Sequence, residues 1–124
     1  MKIIIDLDHT ITLPGWEGDY DAAPVNIAVL GKLRRYREKG YKVCIYTSRN
    51  MRSFEGNIGL INVKTLPQIL SWLDKNDVPY DEVVVGKPWC GHEGFYVDDR
   101  AIRPKEFVEL GEEEIRAVLA ENSQ

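Results

Sequence analysis

The sequence predicts an α/β fold in which residues 1–124 form a single domain around a mainly parallel sheet. Strand-like and helix-like segments alternate along the chain, which is the pattern of strands joined by helical crossovers. The strand-like segments are short, uninterrupted apolar runs, as expected for strands covered on both faces of a parallel sheet. A chain of 124 residues is large enough for one such core.

The composition argues against several classes of function. The formal net charge is -4 at pH 7, whereas a surface for nucleic acid or anionic lipid needs a basic footprint. No apolar stretch reaches the roughly 18 residues of a membrane span, and Met1 leads into a strand without a signal peptide. The two cysteines do not suggest a disulfide framework. We therefore expect a cytoplasmic protein with neither a nucleic-acid nor a membrane partner.

The first predicted strand is the β-branched run Ile3-Ile4-Ile5, which ends in two carboxylates, Asp6 and Asp8. In a continuous strand these side chains would point to opposite faces, but a turn that begins at Asp6 lets them converge. The carboxyl end of a buried parallel strand is where open α/β sheets bind ligands. The pair alone is also compatible with an ordinary strand exit, so the later strand ends decide between the two interpretations.

The next elements are a loop, a helix and a second strand. Residues 13–20 are rich in turn formers and are expected to form a loop or small hairpin over the end of the first strand. A helix is predicted from Asn26 to about Lys39, where basic residues suit the helix dipole and a glycine follows. The second strand covers residues 43–46 and ends at Thr47.

The middle of the chain is predicted to be irregular at residues 51–64 and helical after that. Thr65-Leu66-Pro67-Gln68 has the form of a capping box, with threonine followed three residues later by glutamine. This helix is expected to continue to about Asn76. The third strand, residues 83–85, ends in a turn that carries Lys87.

The last predicted strand is Phe95-Tyr96-Val97, followed by Asp98 and Asp99. The interval after Val85 is too short for a usual parallel crossover, so the topology of residues 83–97 stays open. A short final helix is expected from about Glu112 to Ala120, with Ile115, Val118 and Leu119 facing inward. Cys90 and His92 form a pair too small for a zinc site, and we expect them to pack in a loop.

Polar side chains thus follow each predicted strand, and in this order they resemble the four motifs of the haloacid dehalogenase (HAD) superfamily of phosphohydrolases. The matching positions are Asp6-Leu7-Asp8-His9-Thr10, Thr47, Lys87 and Asp98-Asp99. The resemblance spans residues 2–105 and implies a Rossmann-like, HAD-type three-layer sandwich. A closer resemblance, to capsule-biosynthesis phosphatases of that superfamily, is carried by Tyr46-Thr47-Ser48-Arg49-Asn50-Met51, Gly86-Lys87-Pro88-Trp89 and residues 95–104. It implies a role in making surface-polysaccharide precursors.

The resemblance implies a Mg²⁺-dependent phosphomonoesterase, and the chemistry of phosphoryl transfer needs these residue types. Asp6 is expected to attack phosphorus and form an aspartyl-phosphate, while Asp8 moves protons. Thr47 is expected to donate a hydrogen bond to the phosphoryl group, and Lys87 to supply positive charge. The expected Mg²⁺ ligands are Asp6, Asp8 through its backbone carbonyl, and Asp98. Asp99 is either a further ligand or a group that orients water or Lys87.

The resemblance also implies that this chain lacks a cap domain, since the intervals between its motifs hold only short loops and core helices. A site without a cap admits a large substrate, or loops or a second subunit of a homo-oligomer close it. The candidate substrate contacts are Trp16, Ser48, Arg49, Asn50 and Trp89. The expected substrate is a small phosphate ester, such as a sugar or polyol phosphate.

Two other functions remain open from the sequence. A capless phosphatase can act on a macromolecule, either a nucleic-acid end or a phosphoprotein, although the acidic charge disfavours nucleic acid. A receiver-like phosphoacceptor module also combines aspartates with a hydroxyl and a lysine. Receivers place their acidic pair early in the chain and the acceptor aspartate in mid-chain. Here the order differs, because the Asp6-Leu7-Asp8 motif comes first and the acidic pair Asp98-Asp99 comes last.

Overall fold

A computed structural model describes residues 1–122 of the chain. Their elements are β1 Lys2–Ile5, α1 Ile27–Glu38, β2 Lys42–Thr47, α2 Ile58–Lys75, β3 Glu82–Val85, α3 Pro104–Glu109 and α4 Glu112–Asn122. A single 3-10 turn, Tyr20–Ala22, precedes α1. The helices of this described part are all too short or too polar to cross a membrane.

The three strands form one parallel sheet in the order β1-β2-β3. Ile5 pairs with Ile45, and Thr47 pairs with Val85, so the strands end at the same edge of the sheet. Helix α1 lies between β1 and β2 in the chain and contacts β2, whereas α2 joins β2 to β3 and contacts β3. The predicted α/β class with a parallel sheet is confirmed.

The chain forms two compact units, Met1–Trp89 and Cys90–Gln124. The first contains the sheet with α1 and α2, and the second contains α3 and α4. The single-domain organisation over residues 1–124 stays a prediction.

The central strand β2 provides the core of the first unit. Val43, Cys44 and Ile45 are all buried, so the strand is covered on both faces, as its continuous apolar run predicts. Burial raises the pKa of the Cys44 thiol, which lies in the core as a small apolar residue. Helix α1 adds Val29 and Leu33, which are fully buried one turn apart.

Helix α1 begins where the sequence predicts it. The side chain of Asn26 accepts a hydrogen bond from the Val29 N–H, which satisfies one of the first free donors of the helix. The helix ends at Glu38, and Gly40 has a φ of 94°, a backbone conformation that glycine adopts without strain.

Helix α2 is longer than predicted, and the expected start at Thr65 was wrong. The helix begins at Ile58, where the Asn57 side chain accepts from the Leu60 N–H. Its buried residues Ile61, Thr65 and Ile69 recur every four positions and continue one face across Pro67. Tertiary packing of this face outweighs the backbone bond that the proline removes.

The predicted fourth strand is also not observed, because residues 95–97 have no strand assignment in the structure. Phe95 is 80% exposed and Val97 is 87% exposed. A β-strand requires hydrogen bonds to a neighbouring backbone, which an apolar triplet does not supply by itself. Helix α3 was not predicted, although Pro104 in its first turn marks its start. Helix α4 matches its prediction closely, and Ile115, Val118 and Leu119 are half-buried.

Candidate active site

The site begins in a tight turn at the end of β1. The carbonyl oxygen of Leu7, a fully buried residue, accepts hydrogen bonds from the N–H groups of Ile11 and Thr12, at 2.9 and 3.0 Å. His9 has a φ of 61°, which reverses the chain between Asp8 and Thr10. The turn therefore holds Asp6 and Asp8 just beyond the carboxyl end of β1.

Asp6 is a half-buried carboxyl with a cation beside it. Its Oδ1 lies 3.6 Å from Nζ of Lys87, and its Oδ2 accepts a 3.3 Å hydrogen bond from the Thr10 hydroxyl. Burial raises the pKa of Asp6 above its ordinary value, an effect that Lys87 opposes and the nearby charge of Asp8 reinforces. Burial therefore makes the Asp6 carboxyl costly to ionise, and the positive charge of Lys87 offsets part of that cost.

Thr47 connects the ends of β2 and β3. It is the last residue of β2 and is buried, and its Oγ1 accepts a 3.1 Å hydrogen bond from the Arg49 N–H. Its carbonyl oxygen accepts a 3.1 Å hydrogen bond from the Lys87 N–H. A threonine hydroxyl that accepts one bond still carries a donor hydrogen, which a phosphoryl oxygen can accept.

The turn after β3 directs Lys87 towards Asp6. Gly86 has a φ of 87°, in the left-handed region that favours glycine. A Cβ atom at this position would lie 2.6 Å from Cδ1 of Ile58, so α2 packs directly on the turn. Glycine is therefore favoured here by backbone conformation, and a larger residue would also have to displace the terminal methyl of Ile58.

Asp8 is held by Arg49. Nη2 of Arg49 lies 2.7 Å from Oδ1 of Asp8 and Nε lies 3.2 Å from Oδ2, so the pair is bidentate. The Arg49 side chain is only 1% exposed, and its guanidinium carbon lies 4.0 Å from the centroid of the Tyr20 ring. Two residues apart in the chain, Asp6 and Asp8 thus have different cationic partners.

The loop that carries Tyr20 is closed at its base. Thr12 and Val25 form an antiparallel bridge, and the Leu13 N–H donates to the Pro24 carbonyl at 2.9 Å. This agrees with the predicted small hairpin over the end of β1. Tyr20 was not among the predicted site residues, because its one signal in the sequence is an aromatic side chain in a loop rich in turn formers.

The other predicted substrate contacts are placed as follows. Trp16 is half-buried, and its indole N–H donates to the Asp19 carbonyl at 3.2 Å. The side-chain oxygen of Asn50 accepts from the Thr65 hydroxyl at 2.7 Å, so this amide ties a loop to α2. Ser48 is half-buried, and Trp89 is 43% exposed.

Asp98 and Asp99 belong to the second unit, and both are exposed. Oδ1 of Asp98 accepts a 2.7 Å hydrogen bond from the Arg100 N–H, which forms a local turn. Within residues 1–122, no group of three or more His, Cys, Asp or Glu side chains is arranged to hold a metal ion. The four-aspartate set with Asp6 and Asp8 therefore stays a prediction.

Comparison with known proteins identifies one close relative. A crystal structure of a target protein from Vibrio cholerae is 51% identical, with a TM-score of 0.93, and the match covers 97% of this chain and 97% of that chain. The structure of a Pnkp1/Rnl/Hen1 complex is 24% identical at a TM-score of 0.49, covering 87% of this chain and 34% of the other, a similarity too low to support a conclusion. Neither a protein-family model nor a curated protein matches the sequence.

Proposed function

The chain belongs to the same family as the Vibrio cholerae protein, and we propose that it is a phosphomonoesterase of the HAD type that depends on Mg²⁺. The observation that carries this proposal is the Asp6–Lys87 pair, with Nζ 3.6 Å from the carboxyl oxygen. The carbonyl oxygen of Thr47 accepts a hydrogen bond from the Lys87 N–H. The backbone N–H of Arg49 donates to the Thr47 hydroxyl, and the Arg49 guanidinium donates to Asp8. The set offers a nucleophile, a proton carrier, a hydroxyl donor and a cation, which together meet the needs of phosphoryl transfer.

Asp6 acts as the nucleophile. Its carboxylate attacks phosphorus, the bond to the leaving alkoxide breaks, and an aspartyl-phosphate forms. Lys87 serves this step in two ways, since it favours the ionised form of Asp6 and draws phosphoryl oxygens towards the attacking atom. Thr47 orients the phosphoryl group through its hydroxyl.

Asp8 carries the protons. In the first step its protonated form gives a proton to the leaving oxygen, and in the second its carboxylate accepts one from the water that attacks the aspartyl-phosphate. The two carboxylates have different partners, since Asp6 lies next to Lys87 whereas Asp8 is paired with Arg49.

The donor set of the first unit is compatible with Mg²⁺, which prefers carboxylate and carbonyl oxygens and keeps several waters. Asp8 is close enough to Asp6 for its charge to raise the pKa of Asp6. Asp6 and the Asp8 backbone carbonyl would hold the ion, while Asp98 as a third ligand and Asp99 as a ligand or orienting group stay predictions from the sequence. Bound there, Mg²⁺ supplies positive charge that reduces repulsion between the carboxylate and a phosphate dianion.

The proposed substrate is a small phosphorylated metabolite, namely a sugar or polyol phosphate. Within Met1–Trp89, the loop closed by the Thr12–Val25 bridge lies against the site, since its Tyr20 ring contacts Arg49. The wider resemblance supports a HAD-type three-layer sandwich without a cap, a role in capsule precursors, and closure of the site by a second copy. These features belong to the proposal.

The test is phosphate release from a chromogenic phosphomonoester, followed by a panel of sugar, polyol, nucleotide and phosphopeptide esters ranked by kcat/KM. We expect turnover that requires Mg²⁺, stops on chelation and is abolished in Asp6→Asn. Asp74→Asn makes the same chemical change at an exposed position of α2 and should keep full activity.

Other outcomes point to other functions. Stoichiometric, long-lived phosphorylation of Asp6 without turnover would support a phosphoacceptor module instead. A clear preference for nucleic-acid ends or phosphopeptides would support a macromolecular substrate.

A further inference from the structure

We propose that Arg49 selects the substrate: it binds a second anionic group, a carboxylate or phosphate, on the same molecule as the reacting phosphate. In the structure Asp8 occupies this position on Arg49, and the substrate's anion would replace it. The inference rests on the proposed phosphatase function and adds the class of substrate.

The first observation is the burial of the guanidinium. The Arg49 side chain is 1% exposed, and it forms an ion pair with Asp8 through Nη2 and Nε. Arginine is held this deeply where a planar, bidentate anion is to be recognised. A simple structural ion pair at a strand end would not need a buried guanidinium, because exposed pairs form there at less cost in solvation.

The second observation is an unused donor. Nη1 of Arg49 is buried and has no hydrogen-bond partner in the part of the chain that the structure describes. A buried N–H without an acceptor is unfavourable, so the side chain has capacity for one more oxygen. Asp8 engages the other two nitrogens of the guanidinium, since its oxygens accept from Nη2 and Nε.

Tyr20 is the positioning residue for this exchange. Its ring stacks on the guanidinium at 4.0 Å, and its loop is fixed at the base by the Thr12–Val25 bridge. On the other side, the Arg49 N–H is held by Thr47. Contact between an arginine guanidinium and an aromatic face is favourable. The Tyr20 ring therefore holds the guanidinium in place while its anionic partner changes from Asp8 to the substrate.

The experiment uses two matched pairs of esters that differ in one carboxylate: 3-phosphoglycerate against glycerol 3-phosphate, and 6-phosphogluconate against glucitol 6-phosphate. We expect kcat/KM to favour the carboxylate member of at least one pair by about tenfold or more, the range of one charge-assisted contact. Arg49→Gln should reduce this preference to near unity, and Arg49→Lys should retain part of it. Equal rates within both pairs for the wild-type chain would overturn the inference.

Tyr20 variants provide a second line that leaves the buried arginine in place. Tyr20→Phe keeps the ring and should keep the preference, whereas Tyr20→Ala should weaken it by several-fold. A preference that survives both Tyr20→Ala and a folded Arg49→Gln would assign selection to another residue.

Binding separates this inference from the proposed function. Calorimetric titration of the same four esters into Asp6→Asn should show tighter binding of the carboxylate member, and Arg49→Gln in that background should remove the difference. If no ester is turned over by the wild-type chain while this binding difference is present, the phosphatase proposal fails and the assignment of Arg49 stands. Turnover with no difference in binding or rate between the members of each ester pair would contradict only the assignment of Arg49.

Discussion

Nζ of Lys87 lies 3.6 Å from Oδ1 of Asp6, although the strands that carry them are separated by β2. The contact is possible because parallel strands end at the same edge, and the Lys87 N–H also bonds to the Thr47 carbonyl. Burial makes the Asp6 carboxylate costly, and the lysine offsets part of that cost. The relationship has consequences for both stability and activity.

The first prediction concerns stability against pH in Asp6→Asn. The pKa of Asp6 is raised above 3.8, so between that value and the folded-state pKa the folded chain binds more protons than the unfolded one. Stability rises with pH only where the unfolded state binds more protons, so here the wild-type chain should lose stability relative to Asp6→Asn as pH rises. Urea unfolding from about pH 4 to about pH 8 measures the difference.

Asp74→Asn is the control for an effect of the chemical change alone, because that position is exposed. A wild-type chain that gains stability over Asp6→Asn as pH rises would show that Lys87 outweighs burial at Asp6.

The second prediction is that Lys87→Met lowers phosphate release by about 10²–10³-fold, the usual effect of removing one preorganised charge or donor from a reacting oxyanion. Loss of the cation removes the largest effect that opposes burial, so the pKa of Asp6 should rise further and the acidic limb of the pH–rate profile should move to higher pH. Lys87→Arg keeps the charge and should retain more activity. Unchanged rates and an unchanged profile in Lys87→Met would remove Lys87 from the site.

The third prediction separates the hydroxyl of Thr47 from its methyl group. Thr47→Val leaves the buried Arg49 N–H without its acceptor and should destabilise the chain by about 1–3 kcal/mol. Thr47→Ser keeps the acceptor and removes one buried methyl, at about 0.8 kcal/mol. Urea unfolding should therefore rank Ser above Val, and the reverse order would mean that methyl packing dominates at this strand end.

The fourth prediction compares two glycines. Gly86→Ala should destabilise by at least about 1–2 kcal/mol, because alanine is strained at a φ of 87° and its Cβ would lie 2.6 Å from Cδ1 of Ile58. Gly31→Ala, in α1 with no atom within 4 Å of the added Cβ, should stabilise by about 0.5–1 kcal/mol.

Ile58→Val removes the obstructing methyl at Gly86. Combined with Gly86→Ala it should recover the steric part of the loss and leave the part that arises from φ. Thermal unfolding of the four variants measures both contributions, and equal effects of Gly86→Ala and Gly31→Ala would contradict this account.

The α2 boundary shows where local sequence signals are insufficient. Thr65 and Gln68 have the spacing of a capping box, yet Thr65 is buried inside the helix and its hydroxyl donates to Asn50. The true N-cap, Asn57, lies in a stretch whose glycines indicate turns. The helix extends back to Ile58 because the face from Ile61 through Ile69 is buried, and packing of such a face stabilises a helix more than local signals do.

The sequence by itself determined the parallel sheet and the polar residues at its edge. Uninterrupted apolar runs favour strands of a parallel sheet, although only β2 is covered on both faces, since Ile4 of β1 and Val84 of β3 are exposed. Parallel strands end on one side, so the residues that follow them share an edge. Tertiary structure decided which groups pair there, since Arg49 reaches Asp8 and Tyr20 covers Arg49 from a separate loop. These contacts depend on side-chain direction and burial, which no spacing along the chain specifies.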